Sequence, residues 1–220
     1  MAELYNHEVT NLYDAMEQSI RRIGIIQTNL ENVNTVSFKT IHPESVMFSD
    51  VMGDVFRDES QGVLAKTNQK LDLALTRAEA FFLVDGEDGQ PVRTRDGQFN
   101  FDKKGNIVDS QGRELVILDK QIDSPGWKAL PEGGNLAIDQ NGAMRVNGDY
   151  IGRIAVDYQS KMPGDRVFVL QGKLETSNVD LQANITKIMQ IKRHIDTVQS
   201  MLSMELGVDK ALIETYGRNI

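Results

Sequence analysis

The sequence predicts an α+β protein whose long N- and C-terminal helices pack as a coiled coil, with a central, mostly antiparallel β domain. Apolar residues at both ends recur at coiled-coil spacing, whereas the middle has short apolar runs separated by glycine turns. The expected parts are an N-terminal helix (1–34), a linker or extended segment (35–70), the β domain (71–171) and a C-terminal helix (172–220). The two end segments form a helical inner domain in this prediction.

The N-terminal helix is predicted from apolar residues that recur about every 3.4 positions. This spacing places them along one narrow side of the helix, its predicted assembly seam. The seam residues are Val9, Leu12, Met16, Ile20, Ile23, Ile26, Leu30 and Val33. Charged residues such as Glu17 and Arg21 fall off this seam, as expected for a helix with a solvent-facing side.

The linker, residues 35–70, has no single periodic pattern. The spacing of its apolar residues between Val46 and Phe56 suits either a short helix or two strands. We expect partly extended structure that packs on neighbouring subunits.

The middle of the chain predicts strands joined by tight turns. The strands are expected at 81–84, 98–101, 114–118, 136–138, 151–158 and 167–170. Turns 85–89, 102–105 and 139–142 each combine Asp with Gly, since Asp bonds its own backbone and Gly accepts positive φ. A calcium loop would need several carboxylates that converge on one point, so hairpin turns are the better interpretation.

The C-terminal helix repeats the pattern of the first. Its seam advances by about 3.5 residues per step. The seam residues are Leu181, Ile185, Ile188, Ile191, Ile195, Val198 and Leu202. Ser177 and Asp180 resemble a capping box at its start, and Gly207 is expected to end or kink the helix. Because one seam per helix leaves a two-helix pair marginal, we expect other subunits to cover more of the surface.

Composition excludes several classes of function. The net charge of −8 argues against nucleic acid as a partner, and the absence of cysteine excludes thiolate chemistry and Cys-based metal sites. The three histidines, His7, His42 and His194, lie in no nucleophile or metal motif. We therefore expect no catalytic, cofactor or metal residues and no small-molecule substrate. No secretory signal or membrane span is expected either.

Four motifs follow one another along the chain. Asn29-Leu30-Glu31-Asn32 with Phe38-Lys39 comes first, and Leu71-Asp72-Leu73-Ala74-Leu75 with Phe81-Phe82 second. The third is Thr94-Arg95-Asp96-Gly97, and the fourth is Gly172-Lys173-Leu174-Glu175-Thr176-Ser177-Asn178-Val179-Asp180-Leu181. In this order they resemble the signatures of the flagellar axial family, the rod and hook proteins of the bacterial basal body. The resemblance covers nearly the whole chain.

The resemblance implies a structural subunit of the basal-body rod in the periplasm. Its terminal helices would polymerise into a hollow shaft that transmits torque and conducts exported subunits. The implied partners are further copies, neighbouring rod proteins, the surrounding rings and the flagellar type III export apparatus. Two places depart from the family pattern: Val36-Ser37 replaces Pro-Gly, and Ala78-Glu79-Ala80 replaces Gly-x-Gly. Both substitutions remove residues that readily take positive φ.

The chain length favours a proximal rod component, because hook proteins carry extra domains that 220 residues cannot hold. The alternatives are a distal rod or hook-type subunit of the same family, and a soluble coiled-coil adaptor or chaperone. Seams at both ends favour an open polymer over a closed adaptor, because two different helices allow head-to-tail contacts.

Overall fold

The structure is a computed structural model that describes residues 2–43, 55–86, 88–129, 133–158 and 168–217. Its helices are α1 (Ala2–Glu31), α2 (Pro125–Ala129) and α3 (Leu181–Gly217). Its strands are β1 (Ile41–Pro43), β2 (Val55–Arg57), β3 (Leu64–Lys66), β4 (Leu73–Leu75), β5 (Ala80–Asp85), β6 (Pro91–Thr94), β7 (Asn100–Phe101), β8 (Ile107–Val108), β9 (Ile117–Leu118), β10 (Leu136–Ile138), β11 (Ala143–Val146), β12 (Asp149–Ile154), β13 (Val156–Tyr158), β14 (Val169–Gln171) and β15 (Lys173–Glu175). None of the helices formed by these residues is long and apolar enough to cross a lipid bilayer.

The chain divides into two compact units. The helical unit contains α1, α3 and the β1–β2 pair, from the described parts of Met1–Asn32, Ile41–Arg57 and Val179–Ile220. The β unit consists of Val33–Thr40 and Asp58–Asn178. The four segments predicted from the sequence divide the chain at other positions, and their boundaries stay a prediction. Linker residues 44–54 lie outside the described residues.

The β unit encloses its core between small antiparallel sheets. One sheet has the strand order β10-β11-β12-β9 and another β13-β5-β6, and the pairs β14-β4, β15-β3 and β7-β8 complete the unit. Phe82 and Phe99 meet edge to face in the core, with 5.4 Å between their ring centroids. Their neighbours in the core are Leu73, Leu75, Ala80, Val84, Ile107, Leu115, Leu136, Ile138, Met144, Val146, Ile151, Ile154 and Val169. A central β-rich part within an α+β chain therefore agrees with the sequence.

Asp-rich turns close the hairpins of the β unit. Oδ1 of Asp102 accepts hydrogen bonds from the backbone N–H groups of Lys104 and Asn106, each at 2.8 Å, and Gly105 has φ +83°. Asp139 binds the N–H groups of its own turn in the same way, and Gly142 has φ +78°. Burial raises the pKa of Asp102, but the bonds from Asn106 and Lys104 outweigh it and leave this pKa below the ordinary value. The predicted turns 102–105 and 139–142 are confirmed, whereas turn 85–89 includes residue 87, which lies outside the described residues.

The prediction that the terminal helices pack as a coiled coil along their seams is wrong. Although α1 and α3 contact each other within the helical unit, the seam residues Ile20, Leu181 and Ile185 are 53, 47 and 40% exposed. Polar neighbours, Ser19 and Asn184, are buried instead.

Local hydrogen bonding makes the burial of these two polar residues possible. The Ser19 hydroxyl donates to the carbonyl of Ala15 at 2.8 Å, and the Asn184 amide donates to the carbonyl of Asp180 at 2.7 Å. Because each polar group finds a partner on its own helix, it is buried without an unpaired donor. The apolar period alone does not reveal which polar residues are buried.

The bounds of α3 also differ from those expected. Asp180 caps the helix, because its Oδ1 accepts a hydrogen bond from the N–H of Ala183 at 2.9 Å and the helix begins at Leu181. The helix continues through Gly207 to Gly217 instead of ending there. A Cβ atom on Gly207 would meet no atom within 4 Å, so this glycine fits an exposed helix surface.

Candidate functional site: the polar clasp

A buried ion cluster surrounds the carboxylate of Glu175 in the β unit. Its Oε1 accepts hydrogen bonds from Lys39 Nζ at 2.7 Å and from the Gly62 N–H at 3.0 Å, and its Oε2 binds the Arg95 guanidinium. The side chains of Lys39, Arg95 and Glu175 are 9, 6 and 2% exposed. Because buried charges are tolerated only when paired, one carboxylate stabilises two cations.

Arg95 extends the cluster toward strand β5. Its Nη1 donates to the carbonyl oxygens of Arg77 and Ala80, and its guanidinium carbon lies 5.9 Å from the centroid of the Phe81 ring. Among the described residues, its Nε has no hydrogen-bond partner. Arg95 thus joins the start of β5 to the C-terminal end of the β unit.

The side chain of Asn178 joins three chain segments. Its Oδ1 accepts hydrogen bonds from the Thr40 N–H at 2.7 Å and the Thr40 hydroxyl at 2.9 Å. Its Nδ2 donates to the carbonyl oxygens of Asp58 at 2.8 Å and Ser60 at 3.0 Å. We call Ser37, Lys39, Thr40, Arg95, Glu175 and Asn178 together the polar clasp.

Ser37 lies in the left-handed region, with φ +56°. It replaces the glycine of the family pattern, so the backbone keeps a conformation that suits glycine. Two hydrogen bonds hold Ser37 in place: its N–H donates to the Glu175 carbonyl at 2.9 Å, and its hydroxyl donates to the Arg95 carbonyl at 2.7 Å. At the other departure from the pattern, neither Ala78 nor Ala80 has positive φ, so no glycine is required there.

This conformation leads to a matched pair of substitutions. Ser37→Ala and Ser37→Gly both remove the hydroxyl, but only glycine takes φ +56° without strain. We expect Ser37→Ala to be less stable than Ser37→Gly by about 1 kcal/mol. Urea denaturation of the two variants measures the difference, and equal midpoints would contradict the prediction.

Two motif glycines allow close backbone contacts near the clasp. A Cβ on Gly97 would lie 1.7 Å from the carbonyl oxygen of Leu73, whose N–H donates to the Gly97 carbonyl at 2.9 Å. Gly172 has φ +73°, and its N–H donates to the carbonyl of Asp72 at 2.7 Å. Asp72 thus joins the second motif to the fourth through its backbone.

In the helical unit, the side chain of Asn29 joins two chain segments, just as that of Asn178 joins three in the β unit. Its Nδ2 donates to the Ile41 carbonyl and its Oδ1 accepts from the Ile41 N–H, both at 2.8 Å. The residue is buried, so this pair of bonds fixes the start of β1 on the end of α1.

The remaining predicted motif residues have various environments. Leu73, Ala74, Phe82, Leu174 and Val179 are buried. Half-buried are Leu30, Asn32, Phe38, Leu71, Asp96 and Ser177, whereas Asp180 and Leu181 are exposed. Their assignment as functional residues stays a proposal.

The predicted seam residues of the two helices are likewise divided. Ile26 and Val198 are buried, and half-buried are Leu12, Met16, Ile23, Leu30, Val33, Ile188, Ile191, Ile195 and Leu202. The side chain of Val9 lies outside the described ones.

Sequence reasoning missed half of the clasp. Ser37, Lys39 and Thr40 were not among the predicted site residues, although Lys39 lies inside the first motif. The signal that could have found it is the pairing of motif charges, since Lys39 and Arg95 are cations and Glu175 is the acid of the fourth motif. The clasp holds segments together, because its charged and amide groups bind one another and the backbone.

The described residues contain no group of three His, Cys, Asp or Glu side chains that could hold a metal ion. The carboxylates of the Asp-rich turns bind backbone N–H groups of their own loops. In the part of the chain that the structure describes, no cluster therefore points to metal-dependent chemistry.

Comparison with known proteins gives the class first. Residues 77–146 match the family model for the D1 domain of the flagellar hook protein FlgE/F/G. This stretch runs from just before β5 to the end of β11, through much of the β-unit core. The fold and the match together define an axial protein of the bacterial flagellum.

Whole-chain similarity then gives the family. The flagellar basal-body rod protein FlgF of Rhizobium meliloti is 30% identical over 94% of this chain and 98% of its own. FlgF of Caulobacter vibrioides is 25% identical over 90% and 93%, and FlgG of Buchnera aphidicola subsp. Baizongia pistaciae is 27% identical over 56% and 54%. The chain belongs to the family of flagellar basal-body rod proteins FlgF. The predicted rod and hook resemblance and the choice of a proximal rod type are confirmed.

Proposed function

We propose that this chain is a non-enzymatic structural subunit of the proximal rod, and that it assembles with its own copies and neighbouring rod proteins through its terminal helices. The supporting observation is an apolar face that α3 leaves in water. Leu181, Ile185 and Met189 are spaced by four residues, so they share one side of the helix, and Met189 is 57% exposed. Contiguous exposed apolar surface is typical of protein interaction sites.

Helix α1 offers a second exposed pair. Tyr13 and Ile20 are seven residues apart, so they lie on one side of α1, and both are exposed. The predicted seam residues thus have two roles in this proposal. Those buried within the helical unit stabilise the subunit, whereas the exposed Ile20, Leu181 and Ile185 are free to contact another subunit.

The remaining parts of the proposal follow from the family. The subunit would be exported by the flagellar type III apparatus, join the rod of the basal body in the periplasm, contact the surrounding rings and transmit torque. In such a shaft, the rigid β unit would serve as a structural wall rather than as a reaction site.

The test is a charge on the exposed face of α3. We expect Ile185→Asp to abolish rod assembly and swimming, because burying an unpaired carboxylate in a subunit contact costs more than burying an unpaired neutral polar group, which itself costs on the order of 2 to 7 kcal/mol. Gln190→Asp is the matched control, since residue 190 is exposed on another side of the same helix. Motility in soft agar and isolation of basal bodies from cells that express each variant provide the measurement.

Two further readouts keep the result interpretable. Both purified variants should unfold at the midpoint of the unsubstituted protein, because neither residue is buried. Sedimentation of the unsubstituted protein over a concentration series should reveal open-ended growth that Ile185→Asp removes. Normal swimming in the Ile185→Asp strain would refute the proposed assembly face.

A further inference from the structure

We infer that the polar clasp is a latch that closes only when residues 175–178 are in place and that opens as one cooperative unit, separately from the β core. The earlier segments of the clasp lie outside the apolar core of the β unit. The buried apolar cluster of the β unit contains no residue from 33–40 or 58–66. Apolar burial in that core therefore does not fix these segments, whereas polar bonds join them to residues 175–178.

The first set of bonds is ionic. Lys39 and Arg95 reach the same carboxylate from opposite parts of the sequence, and Gly62 N–H binds its Oε1 as well. Without Glu175, two cations would be buried with no acid, and that arrangement is more costly than leaving them in water. Residues 37–40 therefore dock only once Glu175 has arrived.

The second set joins the places where the chain leaves the β unit. Segments of this unit end at Thr40 and Asn178, and another begins at Asp58. The Asn178 side chain binds Thr40 and Asp58, and the Asp58 N–H donates to the Thr40 carbonyl at 2.9 Å. These three ends thus form a closed ring of hydrogen bonds.

Backbone bonds complete the latch along residues 175–178. Ser37 N–H donates to the Glu175 carbonyl, and Asn178 N–H donates to the Phe38 carbonyl. Thr176 N–H donates to the carbonyl of Val63. Residues 175–178 are thus the shared partner of both earlier segments. Removing them removes a partner from every other part of the latch, which is the condition for cooperative opening.

Residues 37–40 and 175–178 of the latch come from opposite ends of the β unit in the sequence. Glu175 and Asn178 are among the last residues of the β unit, and residues 37–40 are among its first. A chain that enters its site of folding from either end leaves the latch open until both ends of the β unit are present. The clasp thereby couples docking of the N-terminal segment to completion of the unit.

The test is native-state hydrogen exchange of the full-length protein in rising, sub-denaturing guanidinium. It follows the N–H groups of Ser37, Thr40, Asp58, Gly62, Thr176 and Asn178, which all donate within the latch. We expect all of them to converge on one opening transition, below that of core amides such as Leu115 and Ala155. Separate transitions for the individual amides, or one transition shared with the core, would overturn the inference.

The substitution Asn178→Ala tests whether the loss of one clasp side chain affects all the latch amides together. Asn178→Ala should accelerate exchange of the other five latch amides by a common factor of roughly ten or more and leave the core amides unchanged. Asp157→Asn, which breaks the exposed pair with Arg93, should change none of them. Acceleration confined to Thr40 and Asp58 would overturn cooperativity. If Asn178→Ala fails to fold, the transitions of the unsubstituted protein still decide the question.

Discussion

Glu175→Gln is expected to lower the free energy of unfolding of the β unit by about 3 to 5 kcal/mol. The substitution keeps the shape of the side chain but removes its charge. Lys39 and Arg95, whose side chains are nearly buried, then share a neutral amide. Some hydrogen bonds persist, since Lys39 also donates to the Ser60 carbonyl and Arg95 to two others. The loss therefore comes mainly from two buried charges without a counter-ion.

Urea denaturation followed by tryptophan fluorescence measures this effect. Trp127 is the only tryptophan, and it packs against the core of the β unit. Asp157→Asn is the control, because the exposed Arg93–Asp157 pair should contribute only about 0.2 to 1 kcal/mol. Adding Lys39→Met to Glu175→Gln should recover part of the loss by removing one unpaired charge. If the Glu175→Gln protein were as stable as the Asp157→Asn control, the charge of Glu175 would contribute little to the stability of the β unit, and the prediction would be wrong.

The apolar period of the terminal segments predicted their secondary structure but not the burial of every residue. Apolar spacing predicted two long helices, and the structure has them as α1 and α3. It did not predict that Ile20, Leu181 and Ile185 on those seams are exposed. Ser19 and Asn184 tolerate burial because each bonds to its own helix, and a pattern of apolar residues does not identify such polar residues. Of the predicted capping pair Ser177 and Asp180, Asp180 binds the first turn of α3 by accepting from the N–H of Ala183.

The turns of the β unit were predictable because their chemistry is local. Asp102 and Gly105 are three residues apart, and Asp139 and Gly142 have the same spacing. The hydrogen bonds of each turn therefore join residues that are close together in the sequence. The clasp is the opposite case. Lys39 and Glu175 are 136 residues apart and Arg95 and Glu175 are 80 apart. The motifs marked these positions, yet only the fold brings their charges together.

Ser37 is a non-glycine residue with a left-handed backbone. The sequence has Ser37 where the family pattern has glycine. With this left-handed backbone, Ser37 is held by bonds to Arg95 and Glu175. A non-glycine residue can therefore occupy a left-handed conformation when neighbouring hydrogen bonds compensate for the strain.

Gly97→Ala is expected to destabilise the β unit by about 3 kcal/mol or more, for a purely steric reason. The added Cβ would lie 1.7 Å from the carbonyl oxygen of Leu73 and 2.8 Å from its carbonyl carbon. Both atoms belong to backbone, so no side-chain rotation relieves the contact. Either β4 or the turn before Gln98 must move, and this breaks the 2.9 Å bond from Leu73 N–H to the Gly97 carbonyl. Arg95 lies two residues away and would shift with the turn.

Gly89→Ala is the matched control for this prediction. Gly89 has φ +71°, but a Cβ there would meet no atom within 4 Å. The control therefore carries a conformational cost of about 1 to 2 kcal/mol and no clash, whereas φ of Gly97 is not positive and its cost is all steric. Urea denaturation should rank Gly97→Ala well below Gly89→Ala in stability. The reverse order would mean that β4 yields freely at Leu73, and the close approach would then not explain the glycine of this motif.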